Sequence, residues 1–183
     1  MKTQPFVLVG FAAPKRSGKD TRADILIQKY GGQKASFANP IKEASSSLFC
    51  FSHEQLHDDQ KDIVDPRWSV SPRVVMQRIG DMCRLINDNV FLEHMKESIN
   101  HARRTCGGLF VVTDVRFEQE AEMIRQLGGT IVHIFGRTHA ATTDKHISEQ
   151  RLKVCEYTDI CISNSGTLQE LHTNTLDTFS SMI

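Results

Sequence analysis

The feature that most restricts the fold of this chain lies near its N-terminus, where an apolar run leads into a polar turn and then into a helix. Phe6 to Gly10 is continuously apolar, as is typical of a strand buried on both faces of a sheet. Lys15 to Thr21 is polar and turn-like. Apolar residues then recur at helical spacing, at Ala23, Leu26, Ile27 and Tyr30. This strand–turn–helix unit predicts an α/β fold.

The rest of the chain repeats the alternation of strands and helices. Further strands are predicted at Lys34–Ala38, Leu109–Thr113, Thr130–Phe135 and Ile160–Ser163. Helices are predicted between them, with long ones at about Pro72–Asn87 and Val90–Arg103 and a last one from about Thr167. This order implies a mostly parallel sheet with right-handed crossovers. Ligands of such folds bind beyond the carboxyl ends of the strands, so residues that directly follow strands are candidates for function.

The turn after the first predicted strand has the chemistry of a phosphate-binding loop. Residues 13–21 read APKRSGKDT, close to the pattern G-x-x-x-x-G-K-[ST], with Ala13 at the first glycine and Asp20 at the Ser/Thr position. Gly18 allows the backbone to approach phosphates, and the N–H groups that follow form an anion cradle. Lys19 can reach the β and γ phosphates, while Asp20 or Thr21 can hold magnesium. A basic turn that caps a helix is the alternative, but the position between a buried strand and a helix favours phosphate binding.

A second group of candidates lies on the long helix after Trp68. Its apolar stripe is predicted to consist of Val75, Ile79, Met82 and Ile86. Arg73 and Gln77 lie one turn apart on the opposite face, where Arg73 could bind a phosphate and Gln77 a base edge. Trp68 could stack on a base. The alternatives are a solvated charged face for the helix and an anchoring role for the tryptophan.

Charged residues also follow other predicted strands. Asp114 and Arg116 come after Leu109–Thr113, where an acidic residue could orient magnesium's waters or receive a proton and an arginine could hold a phosphate; an N-capping aspartate with a surface arginine is the alternative. Lys42 lies just after the second strand, where a cation helps an anionic substrate or is plain surface charge. Arg137 opens a loop after the fourth strand, where it could stabilise transition-state charge. His139 and His146 in that loop are weak evidence for a metal.

Composition excludes several classes of function. The 22 basic and 22 acidic side chains leave a net charge of zero, so a nucleic-acid polymer is a poor candidate partner. The 5 cysteines form no C-x-x-C pair, which favours reduced thiols over a disulfide framework or zinc cluster. No apolar stretch is long enough for a membrane span. We therefore expect a soluble cytoplasmic protein, and 183 residues fit one domain.

Taken together and in order, these segments resemble the bacteriophage deoxynucleoside monophosphate kinases of the T-even type, over most of the chain. The resemblance rests on residues 15–21 (KRSGKDT), 38–42 (ANPIK), 68–70 (WSV), 76–77 (MQ), 80–81 (GD), 113–116 (TDVR), 146–149 (HISE) and 159–166 (DICISNSG), together with Arg73. It makes Asp20 a feature of the family rather than a defect of the loop.

The resemblance implies a three-layer α/β P-loop kinase fold with a mostly parallel five-stranded sheet. It implies transfer of the γ-phosphate of ATP, with Mg²⁺, to a deoxynucleoside monophosphate by a homodimer. We expect a single domain, 1–183, with an acceptor-binding helical excursion at about 40–105 and a lid-like loop at about 136–152. The rival hypotheses are a P-loop kinase of another small metabolite and a non-catalytic ATP-binding regulatory protein.

The resemblance also assigns residues to roles. The expected ATP-binding residues are Lys15, Arg16, Ser17, Gly18, Lys19, Asp20 and Thr21, of which Asp20 and Thr21 would hold the metal. The expected acceptor-binding residues are Lys42, Trp68, Arg73, Gln77, Asp114, Arg116 and Glu120. The expected catalytic residues are Lys19, Asp114, Arg116 and Arg137.

Overall fold

Five parallel strands form one sheet in the computed structural model, which describes residues 5–14, 17–57, 59–135, 152–156, 158–164, 166–180 and 182. The strands are β1 Val7–Ala12, β2 Gln33–Ala35, β3 Leu109–Val115, β4 Thr130–Phe135 and β5 Ile160–Ser163. Their order across the sheet is β2-β3-β1-β4-β5, and every neighbouring pair is parallel. The predicted α/β fold with a five-stranded parallel sheet is confirmed.

Helices connect the strands as the alternation predicted. They are α1 Lys19–Tyr30, α2 Asn39–Phe49, α3 His53–His57, α4 Pro72–Ile86, α5 Val90–Thr105, α6 Glu118–Gln126 and α7 Leu168–Phe179, with a 3₁₀ turn at Asp59–Asp62. Among the described residues, no helix combines the length and the apolar character that crossing a membrane would require.

The chain divides into two compact units. The first consists of residues 1–36 and 96–183 and contains the sheet, and the second consists of residues 37–95. The second unit falls largely within the predicted helical excursion at about 40–105. The assignment of all 183 residues to one domain stays a prediction.

The core of the first unit is the sheet itself. Val9, Val111 and Val132, on three adjacent strands, are fully buried. Burial of each such side chain contributes about 1.5–3 kcal/mol. Gly10 is required by close packing, since a Cβ there would lie 2.9 Å from side-chain carbons of both Ile124 and Ile131. The absence of a side chain at Gly10 thus lets Ile124 and Ile131 pack closely against β1.

The second unit has a small core of its own, formed by Phe51, Leu56 and Val75. It confirms only the first half of the stripe predicted for α4. Val75 is buried, but Met82 is 55% and Ile86 80% exposed. Apolar residues recur at helical spacing to the end of α4, but those beyond Gly80 are exposed.

Two strands extend further than their sequence indicated, and this affects the site. β1 continues to Ala12, and β3 to Val115. Gly10 pairs with Val112 and Ala12 with Val115, so β3 carries one extra residue in this stretch. Such a bulge re-aims side chains next to the edge of a sheet. The prediction that Asp114 follows the strand was therefore wrong: it lies within β3, and Arg116 is the first residue after it.

Candidate functional site

The loop between β1 and α1 has the geometry of an anion cradle. Gly18 is the N-cap of α1 and adopts a left-handed conformation with φ 80°, which glycine reaches without a steric penalty. A Cβ at this position would also lie 3.0 Å from Leu171 Cδ1 and 3.1 Å from Asn164 Nδ2. The first backbone N–H groups of α1 have no partner within the helix. They open at the carboxyl end of β1, between β3 and β4, where the strand order reverses.

The polar side chains of the loop lie where the sequence predicted. Lys19 is the first residue of α1, with its side chain 14% exposed and its Nζ 3.3 Å from Asp20 Oδ2. Asp20 and Thr21 are exposed in the first turn. Ser17 is buried, and its hydroxyl has no hydrogen-bond partner in the described part of the chain. Lys15 and Arg16 lie outside the described residues.

A buried polar network beneath the loop was missed by the sequence reasoning. Asn164, directly after β5, donates from Nδ2 to the backbone oxygen of Ser17 at 2.7 Å. The fully buried Arg22 donates to Asn164 Oδ1 at 3.5 Å and to Thr175 Oγ1 at 2.6 Å. Two signals could have revealed them. Asn164 follows a strand, and Arg22 is four residues before Leu26, on the apolar face of its helix.

Asp114 and Arg116 lie at the same edge of the sheet as the phosphate loop. Because Val115 pairs with Ala12, the residues on either side of it lie alongside the entry to that loop. Asp114 is half-buried and Arg116 exposed. The structure thus brings these two predicted residues and the loop to one edge of the first unit.

Glu120 has a structural task on α6. It is 8% exposed, and its Oε2 accepts hydrogen bonds from the backbone N–H groups of Arg116 at 2.7 Å and Phe117 at 3.0 Å. Burial, assisted by the nearby charge of Asp114, raises the pKa of Glu120 to about 7 against the pull of the two N–H groups. Glu120 thereby holds the backbone that carries Arg116. A direct contact between Glu120 and substrate stays a prediction.

Two of the predicted acceptor residues of the second unit, Lys42 and Arg73, have partners there. Lys42 Nζ lies 3.2 Å from His57 Nδ1. Arg73 forms an ion pair with Asp62, with its Nη2 3.0 Å from Asp62 Oδ2. Gln77 is exposed on α4. Lys42 and Arg73 are therefore held in place by contacts within the second unit.

Trp68 is anchored to the second unit by its own ring. Its Nε1 donates to the backbone oxygen of Phe49 at 2.9 Å, and the two rings meet edge to face at 5.4 Å. The tryptophan is nevertheless 43% exposed. This supports the anchoring alternative and leaves part of the ring accessible for stacking.

The predicted loop at 136–152 lies almost entirely outside the described residues, and so do Arg137, His139 and His146. Asp159, in the segment that follows this loop, forms an ion pair with Arg125 of α6. The side chain of Asp159 is fully buried and accepts hydrogen bonds from Arg125 Nη2 at 2.7 Å and Cys155 N at 2.8 Å, with His133 Nε2 at 2.9 Å. Burial alone would raise the pKa of Asp159, but these partners hold it well below its usual range.

Comparison with known proteins points to one family. Residues 46–175 match the family model described as deoxynucleotide monophosphate kinase. A putative deoxynucleotide monophosphate kinase of Acanthamoeba polyphaga mimivirus is 35% identical over 179 residues, covering 91% of this chain and 92% of that protein. The deoxynucleotide monophosphate kinase of Enterobacteria phage T4 is 22% identical over 232 aligned positions, covering 90% of this chain and 95% of its own.

Solved structures with the same fold have little sequence in common with this chain. A dephospho-CoA kinase from Campylobacter jejuni superposes with a TM-score of 0.54 at 12% identity, covering 96% of each chain. A gluconokinase from Sinorhizobium meliloti 1021 superposes with a TM-score of 0.52 at 14% identity, covering 99% of this chain and 95% of its own. At such identities the likeness shows the fold alone.

Proposed function

Because this chain belongs to the deoxynucleotide monophosphate kinase family, we propose that it transfers the γ-phosphoryl group of ATP to the phosphate of a deoxynucleoside monophosphate. The observation that carries the proposal is the family match over residues 46–175. That range contains the expected acceptor residues from Trp68 to Glu120, but neither Lys42 nor the phosphate loop. The loop geometry around Gly18 therefore supports the proposal independently.

The transfer is a single displacement at phosphorus. An oxygen of the acceptor monophosphate attacks the γ-phosphorus of ATP, and the bond from that phosphorus to the β–γ bridging oxygen breaks. ADP leaves with the electron pair. The protein's contribution in reactions of this kind is alignment and neutralisation of charge.

The donor side is assigned to the loop and the first turn of α1. The backbone N–H groups after Gly18 bind phosphate oxygens, and Lys19 neutralises charge on the β and γ phosphates. The buried hydroxyl of Ser17, which has no partner among the residues that the structure describes, supports this role, since such groups are usually satisfied by protein, water or ligand. We also assign Lys15 and Arg16 to ATP on the resemblance alone.

On the acceptor side, Arg116 at the sheet edge and Arg73 on α4 are proposed to hold the acceptor phosphate, helped by Lys42. Gln77 and the accessible part of Trp68 are proposed to contact the base. Asp114 would orient water or receive a proton at the carboxyl end of β3. Arg137 would stabilise charge in the transition state.

The first turn of α1 suits magnesium by its donor chemistry. The carboxylate of Asp20 and the hydroxyl of Thr21 are exposed oxygen ligands of the kind that Mg²⁺ prefers. Within the described residues, no group of three or more His, Cys, Asp or Glu side chains could hold a metal. Mg²⁺ at a nucleotide site commonly takes one or two protein oxygens, with phosphates and water as its other ligands. The ion would supply charge neutralisation between the phosphates.

A homodimer is proposed from the family resemblance. We propose the C-terminal end of α4 as its interface, because apolar side chains are exposed there. Met82, Leu85 and Ile86 are 55%, 88% and 80% exposed there. Asp81 and Arg84 flank them with opposite charges. In a two-fold pairing of identical surfaces, such charges can face each other across the apolar centre.

A coupled assay of ADP release tests the proposed reaction. Purified protein with MgATP is tested against dGMP, dTMP, dCMP, dAMP, the four ribonucleotides and a panel of small alcohols. We expect ADP release that depends on a deoxynucleoside monophosphate, and loss of most turnover in Lys19→Ala. Activity with an alcohol alone would favour another metabolite kinase, and ATP binding without acceptor-dependent ADP release would favour a regulatory protein.

Near-normal turnover of Lys19→Ala would contradict the loop assignment. Lys29→Ala is the matched control, because Lys29 is an exposed lysine in the last turn of the same helix. Its activity should equal that of the unmodified chain.

A further inference from the structure

The phosphate loop rests on a buried cation for which the described residues offer no carboxylate partner. Arg22 is fully buried. Its Nη1 donates to Leu171 O at 3.3 Å and Thr175 Oγ1 at 2.6 Å. Its Nη2 donates to Ser163 O at 3.2 Å and Asn164 Oδ1 at 3.5 Å. These four acceptors are all neutral, so they bind the Nη1 and Nη2 groups without cancelling the charge, and the buried Nε has no hydrogen-bond partner among the described residues.

The position of this charge is unfavourable for the protein alone. Arg22 is the fourth residue of α1, and its N–H donates to Gly18 O at 3.0 Å. The N-terminal end of a helix carries partial positive charge, so a cation there is disfavoured unless an anion is close. The carboxylate of the first turn, Asp20, is exposed and lies 3.3 Å from Lys19 Nζ, so it offsets this charge only in part. Burial lowers the pKa of Arg22, yet arginine remains protonated in proteins. A polyanion bound at the start of α1 would offset both the dipole and the buried charge.

Arg22 is also connected to the loop backbone through Asn164. The Asn164 side chain accepts from Arg22 and donates to Ser17 O at 2.7 Å. Its backbone N–H donates to Phe135 O at 2.6 Å, which ties it to the end of β4. The carbonyl before Gly18 is therefore held by a side chain that the sheet and Arg22 both fix.

We propose that Arg22 and Asn164 are positioning residues for the triphosphate of ATP: Arg22 attracts it with a buried charge, and Asn164 holds the loop backbone in the shape that accepts it. The inference rests on the proposed function, because it requires that the loop bind a nucleoside triphosphate. Neither side chain contacts substrate. Both act from beneath the loop, so they influence ATP and leave the acceptor unaffected.

The test separates the effect of charge from that of structure. Arg22→Gln removes the charge but keeps a donor, and Arg22→Lys keeps the charge but loses the fork. Asn164→Ala removes the hydrogen bond to Ser17 O and leaves the charge of Arg22 in place. Lys29→Gln is the control, because it removes an exposed charge from α1, the helix that carries Arg22. For each variant, the dissociation constant of MgATP is measured by calorimetry, and the KM values of ATP and of the acceptor by ADP release. Circular dichroism checks folding.

We expect Arg22→Gln to weaken MgATP binding and raise the ATP KM about tenfold, as a unit charge in a partly desolvated site would. Arg22→Lys should stay within about threefold of the original chain, and Asn164→Ala should raise the ATP KM about fivefold. The acceptor KM should be unchanged in all of them, and Lys29→Gln should be unaltered. A general loss of structure would change both KM values together.

Two results would overturn the inference while the proposed function stands: unchanged MgATP affinity in Arg22→Gln, or an equal rise of both KM values. If the original chain itself neither binds MgATP nor releases ADP, the proposed function fails first. If Arg22→Gln does not fold, the inference is tested with Arg22→Lys and Asn164→Ala instead. ATP-selective weakening by Asn164→Ala, with ATP affinity retained in Arg22→Lys, supports the inference, and any other pattern overturns it.

Discussion

Glu120 makes the stability of this protein depend on pH in an unusual direction. Its pKa is raised to about 7, mainly by burial, whereas a glutamate in an unfolded chain titrates near 4.3. Between these two values the folded protein holds a proton that the unfolded chain has released. Stability from this group is therefore fully present below about pH 4.3 and is lost as pH rises towards 7.

The size of the effect follows from the gap between the two pKa values. Each pH unit of the gap corresponds to about 1.4 kcal/mol, so the free energy of unfolding should fall by about 4 kcal/mol in total as pH rises through both pKa values. Glu120→Gln cannot ionise and keeps one oxygen to accept from Arg116 and Phe117. The free energy of unfolding of this variant should therefore lack the pH-dependent contribution of Glu120. The difference in the free energy of unfolding between the two proteins should grow with pH and level off above about pH 7.

Urea unfolding at intervals from pH 5 to pH 9 measures this difference directly. Glu122→Gln is the control, because Glu122 is exposed on the same helix, and its curve should run parallel to that of the original chain. A constant offset between Glu120→Gln and the original chain across the whole range would refute the reasoning. It would mean that the two N–H groups outweigh burial and keep Glu120 ionised.

Three further perturbations address the acceptor, the sheet and the assembly. Arg73→Ala should raise the acceptor KM at least tenfold and the ATP KM little, and equal effects in a steady-state assay would exclude an acceptor role. Asp159→Ala should lower the free energy of unfolding by about 3 kcal/mol, because it leaves Arg125 without its buried partner; a loss below about 1 kcal/mol in urea melts would contradict that ion pair. Leu85→Glu should convert a dimer into a monomer in light scattering at micromolar concentration, and an unchanged mass would place any interface elsewhere.

The order of strands and helices could be predicted from the sequence, because the spacing of buried apolar residues differs between the two kinds of element. The bounds of β4 and β5 match the prediction residue for residue, since both are short apolar runs with a clear turn on either side. The bulge of β3 was not predictable. It depends on how β1 and β3 pair, and no local pattern at Thr113 or Asp114 encodes the register of a strand about a hundred residues away.

For the site, the sequence alone predicted the phosphate loop and the family. Gly18 acts through local backbone geometry and Lys19 through a side chain at a defined spacing, so both can be recognised without the tertiary structure. The tertiary structure decided what supports them. Asn164 reaches Ser17, and Arg22 reaches Asn164, only because β5 and α7 return beside α1. A hydrogen bond between residues so far apart in the chain has no signature in sequence spacing, since it depends on the path of the whole sheet.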